Sequence, residues 1–320
     1  MHLKQEVSLE VFDKESGGTQ LLKTSGLRVD FDVRMIPDFN RAKFTIYNLN
    51  NSVVTGLSTG KKWATLKVVL SDGKEYTVAE RYFISNVMDE LKLPDRVVTL
   101  YCLDNLKVGI LEKPVNVIVK QPNLEKSIFR ILDDAGHIGP IKFVDFPARL
   151  EKEFTARPQR PHKGSVQSCI KELEVEYNFS TYTYNGGMYF MYKLDLGEVL
   201  DSDLHKNKAS IVFRTEAMRS NPKIGLASAL ISSILDPRVY PSRAFDLSEL
   251  ITISNTAGEE TLKLSEGFLK NFSTFSKYQA FAVQHKGSNY TKDWDTKVTG
   301  LSPTKGKFSS TVAWANIGAN

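Results

Sequence analysis

Leu27 to Leu49 reads LRVDFDVRMIPDFNRAKFTIYNL, and two strands are written in it. Leu27, Val29, Phe31 and Val33 are apolar, whereas Arg28, Asp30, Asp32 and Arg34 are charged. A period of two puts one face of an extended segment in a core and the other in water. After the loop at Pro37, Ala42, Phe44 and Ile46 repeat the pattern against Arg41, Lys43 and Thr45. Working outward, Val7, Leu9 and Val11 alternate earlier in the chain. Thr65 to Leu70 runs into Asp72-Gly73, a type I′ hairpin signal, and returns through Lys74 to Val78. Arg81 to Met88 and Arg96 to Leu103 complete a set of about seven short strands, spaced as in an antiparallel barrel or sandwich. A helical turn is expected after Ser52.

The period then changes. Asn123 caps a predicted helix in which Leu124, Ile128, Ile131 and Leu132 share a face, and Gly136 ends it. Ser165 caps a second helix, with Val166, Ile170, Leu173 and Tyr177 on one side. Ile141 to Phe146 reads as a strand. Phe179 to Tyr184 and Met188 to Leu194 flank Asn185-Gly186-Gly187, a strong hairpin signal. The prolines of Arg157 to His162 predict a loop. Strands return at Ser210 to Arg214, Leu250 to Ser254 and Tyr278 to His285, and the tail from Ser302 to Asn320 is polar. No internal sequence repeat is visible. The expected class is therefore α+β, mostly β, with a strand-rich part at 1–106, an α+β part at 107–205 and a second strand-rich part at 206–320.

The chain has 320 residues, 42 basic and 37 acidic, for a net charge of +5. Residues 206–320 alone carry 15 basic and 9 acidic groups, so the excess sits in the last third. Such a surface suits an acidic partner or nucleic acid, or is simply solvated. Cys102 and Cys169 read as buried reduced thiols and the polar N-terminus MHLKQEVSLE as no signal peptide, which together predict a reducing compartment. The longest apolar stretch, Ile224 to Leu235, is too short to cross a bilayer.

A search for chemistry finds little. Gly56 to Lys62 (GLSTGKK) has three residues between its glycines instead of the four of a phosphate-binding loop, and no Ser/Thr for magnesium. The histidines, His2, His137, His162, His205 and His285, include no pair at zinc-ligand spacing. Asp201, Asp203 and His205 alternate but lack the glycine and closing glutamate of a calcium loop. Glu151 with Glu153 and Glu259 with Glu260 are the nearby carboxylate pairs that glycoside hydrolysis would need, and they read as surface charge. The tyrosine-rich Tyr177 to Tyr192 has almost no basic residues, so it is read as a half-buried hairpin on the preceding helix and not as a base-stacking platform. No catalytic residue, cofactor or metal site is expected.

Three stretches carry a resemblance. Leu27 to Leu49, Met218 to Pro241 (MRSNPKIGLASALISSILDPRVYP) and Tyr278 to Gly300 (YQAFAVQHKGSNYTKDWDTKVTG) resemble, in that order, segments of phage tail baseplate hub proteins. That family includes T-even-like hubs and the N-terminal part of type VI secretion spike proteins. In one place the pattern departs: Ser71-Asp72-Gly73-Lys74 stands where the family has a glycine-aromatic strand entry.

The resemblance implies two tail-tube-like antiparallel β-barrels, residues 1–106 and 206–320, around an α+β intermediate domain, 107–205, the second barrel ending in a C-terminal arm. It implies a structural virion protein and not an enzyme: a homotrimeric hub whose pseudo-hexameric ring joins a sixfold tail tube to a threefold spike and lets DNA pass. Its expected partners are itself, the tail tube protein, the central spike protein, the tape measure protein and other baseplate proteins, with transient DNA contact in the lumen and no membrane insertion. Assembly in the host cytoplasm into the virion tail follows. Arg28, Asp30, Asp32, Arg34, Arg41 and Lys43, on the wet faces, are the candidate inter-subunit or lumen contacts. His285, Gly287 and Trp294 match the family's C-terminal motif and read as architectural: the glycine permitting a turn, the tryptophan packing the loop, the histidine bonding its backbone. The alternatives are a tail-associated cell-wall hydrolase and a host-glycan-binding module gripping through the tyrosine hairpin.

Overall fold

The computed structural model describes residues 6–24, 26–37, 40–120, 123–144, 159–192, 211–220, 222–224, 228–247, 277–291 and 294–301. The fold is mostly β within the α+β class. Among the described residues, no helix is long and apolar enough to cross a membrane. The chain divides into two compact units: residues Met1–Val33, Pro37–Lys193 and Ser288–Tyr290, and residues Arg34–Ile36, Leu194–Gly287 and Thr291–Asn320.

The first unit opens with β1 (Glu6–Phe12), β2 (Gln20–Lys23), β3 (Val29–Met35), β4 (Arg41–Tyr47), the helix α1 (Asn51–Ser58), β5 (Trp63–Val69), β6 (Glu75–Lys92) and β7 (Asp95–Leu103). Their hydrogen-bonded order is β3-β4-β7-β6-β5-β1-β2. The alternation that decides the fold is obeyed: Val29, Phe31, Val33 and Met35 are buried, as are Ala42, Phe44 and Ile46. Each such large side chain contributes about 1.5–3 kcal/mol by leaving water. Asn50 caps α1, its side chain accepting from the Val53 amide at 2.9 Å.

Three local expectations are corrected. At Asp72-Gly73 only Gly73 has a positive φ, of 73°, so the turn is not type I′. Asp72 Oδ1 instead accepts from the Lys74 amide at 3.0 Å, and the Gly73 amide bonds Leu70 O at 3.0 Å. The strands expected at 74–78 and 81–88 are one strand, β6, bulged where Arg81 takes φ 51° and its amide donates to Thr65 Oγ1. The loop expected at Arg157 to His162 is strand from Gln159 onward.

That strand is β10 (Gln159–Ser165), paired antiparallel with β8 (Pro114–Lys120), Pro161 facing Ile118. A two-stranded ribbon leaves each strand an open side, where a proline's missing donor costs nothing. A π-helical turn (Lys107–Leu111) precedes β8, and α2 (Leu124–Asp134) and β9 (Ile141–Val144) come between β8 and β10 in the chain. The helix α3 (Val166–Tyr177), β11 (Phe179–Tyr184) and β12 (Gly187–Tyr192) follow. Asn123 and Ser165 cap α2 and α3 through the Lys126 and Ser168 amides. Asn185 (φ 45°) and Gly186 (φ 74°) make the tight β11–β12 turn, and β9 adds to β12 in parallel. The tyrosine-rich hairpin is more deeply buried than expected, with eleven of its twelve strand residues in the interior and only Tyr184 half-exposed.

The second unit holds β13 (Ile211–Val212), a 3₁₀ turn (Thr215–Ala217), β14 (Lys223–Ile224), β15 (Ser228–Ile234), β16 (Ala244–Asp246), β17 (Lys277–Ser288) and β18 (Asp295–Leu301). Their order is β14-β15-β18-β17-β16-β13. Phe245 stacks on Tyr278 with centroids 5.7 Å apart. Gly300 of β18 leaves them room, since a Cβ there would lie 2.3 Å from Phe245 Cζ. The strand expected at Leu250 to Ser254, the tail 302–320, Asp201, Asp203 and His205, and the pairs Glu151/Glu153 and Glu259/Glu260 lie outside the described residues.

The two strand sets repeat one plan. Taken in chain order, β1, β3, β4, β5, β6, β7 correspond to β13, β14, β15, β16, β17, β18. Each set is then arranged second-third-sixth-fifth-fourth-first. In both, the fifth and sixth strands pair antiparallel, and the fifth is bulged just after its pairing with the fourth ends, at Ile84/Asn86 and at Ala280/Ala282. The sets differ at the first strand: β1 runs antiparallel to β5, whereas the two-residue β13 runs parallel to β16.

Candidate functional site

The start of β3 gathers the first group of candidate contacts. Arg28 lies 4.1 Å over the Tyr47 ring and 5.0 Å over the Tyr290 ring, and its guanidinium bonds both Asp30 oxygens at 3.3–3.4 Å. Asp30 also accepts from the Tyr47 hydroxyl at 2.9 Å and from Ser288 Oγ. Asn289 clamps the strand: its Oδ1 accepts from the Val29 amide at 2.8 Å, its Nδ2 donates to Leu27 O at 2.6 Å, and its amide donates to Val29 O at 3.1 Å. All these residues belong to the first unit. The hydrogen bond to Asp30 holds Arg28 above its ordinary pKa, while burial first and Asp30 second raise that of Tyr47.

Arg28 and Asp30 therefore spend their charge on segment Ser288–Tyr290 of the same chain. Asp32 and Arg34 are half-buried along β3. Arg41 and Lys43 are exposed on β4, Lys43 lying 5.9 Å over the Tyr101 ring across the β4–β7 pair. The structure brings Arg28 and Asp30 together and adds Tyr47, 17 positions from Asp30, and Ser288 and Asn289, whose bonds span 258–262 positions and so carry no local sequence signal.

The C-terminal motif builds a second polar cluster. His285 is buried in β17, with Nδ1 2.9 Å from Thr296 Oγ1 and Nε2 3.0 Å from Val239 O. A carbonyl only accepts, so Nε2 carries the proton and Nδ1 accepts from the threonine hydroxyl. Thr296 Oγ1 in turn accepts from the Asp236 amide at 2.8 Å. Through this relay the β17–β18 hairpin holds the 235–243 connection at both Asp236 and Val239. Burial drives the His285 pKa down to about 4. Trp294 is buried and its carbonyl accepts from the Leu235 amide at 2.9 Å. Gly287 lies within strand β17 and not at a turn.

A third cluster is a buried network in the first unit. Asp104 Oδ2 accepts from Asn40 Nδ2 at 3.0 Å and Thr183 Oγ1 at 2.6 Å, and Oδ1 accepts from the Leu106 amide at 2.9 Å. Asn40 Nδ2 also donates to Thr183 O. Asn40, Gln167, Lys171, Glu174 and Thr181 line a small adjoining pocket. Glu174 accepts from the Thr181 amide at 2.7 Å and pairs with Lys171 at 2.9 Å, so its charge is committed to structure. His162 is buried in β10 with both ring nitrogens unbonded, its pKa lowered to about 4 by burial and then by Arg160. Among the described residues, no three His, Cys, Asp or Glu side chains converge as a metal would require. What these clusters do chemically is hold strands and loops in place.

By fold, this chain is similar to phage tail proteins and type VI secretion components, as the resemblance implied. No family model and no curated protein matches it. Among solved structures, it is similar to the 43 kDa tail protein of prophage MuSo2 from Shewanella oneidensis. The TM-score is 0.54 and the identity 6%, over 93% of this chain and 98% of that one. It is similar at TM-score 0.50 and 10% identity to the E. coli c3393 protein, a type VI secretion component described as structurally similar to the T4 tail proteins gp27 and gp5. That match covers 97% of this chain and 76% of that one. A chain of the half-lidded Francisella PdpA–VgrG complex matches at TM-score 0.51 and 10% identity over 96% of this chain, which spans 60% of that chain's length.

Proposed function

We propose that this chain is a structural hub of a phage-type tail. Three copies form a ring in which two tube-like β-modules per copy, 1–106 and 206–320, present six near-equivalent positions, with the 107–205 part between them. The ring joins a sixfold tail tube to a threefold spike and leaves a lumen for DNA. Its partners are a second and third copy, the tube protein, the spike, and the tape measure and other baseplate proteins, in the virion tail after assembly in the host cytoplasm. The protein turns over no substrate.

The observation that carries this reading is the strand order repeated in the two sets. A threefold object that must meet a sixfold one needs two similar surfaces per subunit, and a duplicated module supplies them. The fold's likeness to the Shewanella prophage tail protein supports it further. Arg41 and Lys43, exposed on the wet face of β4, remain the best placed of the six charged candidates for subunit or lumen contacts. His285 and Trp294 act as architecture.

Mass by light scattering tests the reading, for the chain alone and co-expressed with its spike. A mass of three copies supports the hub; a monomer in both preparations overturns it.

A further inference from the structure

One pocket of the first unit is walled by the π-helical turn, by α3 and by β11. Its cavity volume is about 20 Å³, room for about one water-sized group, which takes about 10–15 Å³. Gln167, in the first turn of α3, and Lys171, one turn on, line it, as does Lys107 of the π-helical turn. Leu111 and Ile170 supply apolar wall. Thr181 and Thr183, two apart on β11, share one face of that strand and line the same pocket.

The carboxylates around this pocket are already engaged. Glu174 Oε1 accepts from the Thr181 amide at 2.7 Å, and Oε2 pairs with Lys171 at 2.9 Å. Both oxygens of the adjoining Asp104 accept, from the Leu106 amide, Asn40 and Thr183. Donor capacity is left over. Thr181 is 6% exposed, yet its hydroxyl has no hydrogen-bond partner among the described residues. A buried hydroxyl left so costs free energy that a bound group recovers. The charges lining the pocket, two lysines and one glutamate, leave one positive charge over. The N-terminal end of the α3 dipole adds to it.

We propose that this pocket binds a small monovalent anion, chloride or a carboxylate such as acetate. The Thr181 hydroxyl donates to it from the buried strand. The Lys107 and Lys171 ammonium groups and the Gln167 amide donate from the rest of the wall. A cation in the same place would meet two lysines and carboxylates that are already satisfied. The bound charge ties α3 and β11 to the turn that follows β7, and so fastens the α+β part onto the first strand set. The inference stands apart from the hub reading, since one copy holds the whole site.

Crystals of the full chain grown in sodium bromide are expected to show an anomalous peak in the pocket, within hydrogen-bonding reach of Thr181 Oγ1. Urea unfolding in a halide-free zwitterionic buffer, with added sodium bromide or sodium acetate, gives the solution arm. For a site of about 10 mM affinity, about 100 mM anion multiplies the folding constant about tenfold. Thr181→Val keeps the shape and the charge but removes the hydroxyl, so general salt effects are common to it and the unaltered chain. It is expected to be at least as stable as the unaltered chain without anion and less stable with it, so that the two salt curves cross. Lys107→Gln is expected to lose the anion-dependent gain as well, and carries the test should Thr181→Val fail to fold. A gain from bromide alone supports a halide site, and one from acetate alone a carboxylate site. A bromide peak with parallel salt curves means an adventitious ion only and overturns the proposal. A pocket that holds water alone, again with parallel curves, overturns it in favour of a neutral solvent site.

Discussion

Acid should weaken the second unit through His285, and the size of the effect follows from its surroundings. The ring is wholly buried, its two nitrogens bonded to Thr296 Oγ1 and Val239 O, and its pKa is lowered to about 4 from 6.5. In the unfolded chain the same ring titrates near 6.5. Between those values the unfolded state binds a proton that the folded state refuses, so stability is full above pH 6.5 and falls as pH drops toward 4. At 1.36 kcal/mol per unit, the loss is about 2 kcal/mol by pH 5 and about 3 kcal/mol by pH 4. Urea unfolding at pH 7 and pH 5, followed by tryptophan fluorescence, measures it, Trp294 lying in the same unit. The comparison variant is His285→Gln, whose amide still donates to Val239 O but does not titrate. The variant loses stability at every pH; the readout is its slope. Other titrating groups, His162 included, are common to both chains and cancel in the difference. The unaltered chain should lose about 2 kcal/mol more than the variant between pH 7 and pH 5. Equal slopes would refute a buried neutral His285.

Asp104→Ala strands Asn40, Thr183 and the Leu106 amide and should cost about 3 kcal/mol in thermal or urea unfolding, whereas Asp104→Asn should cost less. Gly300→Ala drives a methyl into Phe245 and Tyr278 and should destabilise by about 1–3 kcal/mol, read as a lower Tm. A double-mutant cycle of Arg28→Ala with Tyr47→Leu should give a coupling of about 1 kcal/mol or less, the cluster being half-exposed; additivity would mean that Arg28 does not fasten the start of β3.

The strands around Leu27 to Leu49 were legible because one face of each is wet, and period two survives only under that condition. Caps at Asn123 and Ser165 and the Asn185-Gly186 turn were legible because each is a local bond or a local φ. β8 and β15 were less legible: Val115, Val117 and Val119 alternate, but Ile118 puts an apolar residue on the outer face between them, and Ile224 to Leu235 reads as one apolar run. Pro161 argued for a loop, yet it sits on a two-stranded ribbon where its missing donor is harmless. The duplication left no sequence repeat, since strand order is conserved by pairing geometry while side chains need only keep their inside and outside. Asn289 and Ser288 were invisible as partners of Val29 and Asp30, because nothing local announces a bond across some 260 residues.

Electron microscopy of the purified assembly, alone or on its spike, bears most directly on the central claim. The account predicts class averages with threefold symmetry in which six lobes alternate between two slightly different modules around an open channel. Single chains under every condition, or a ring whose lobe number is not six, would contradict it.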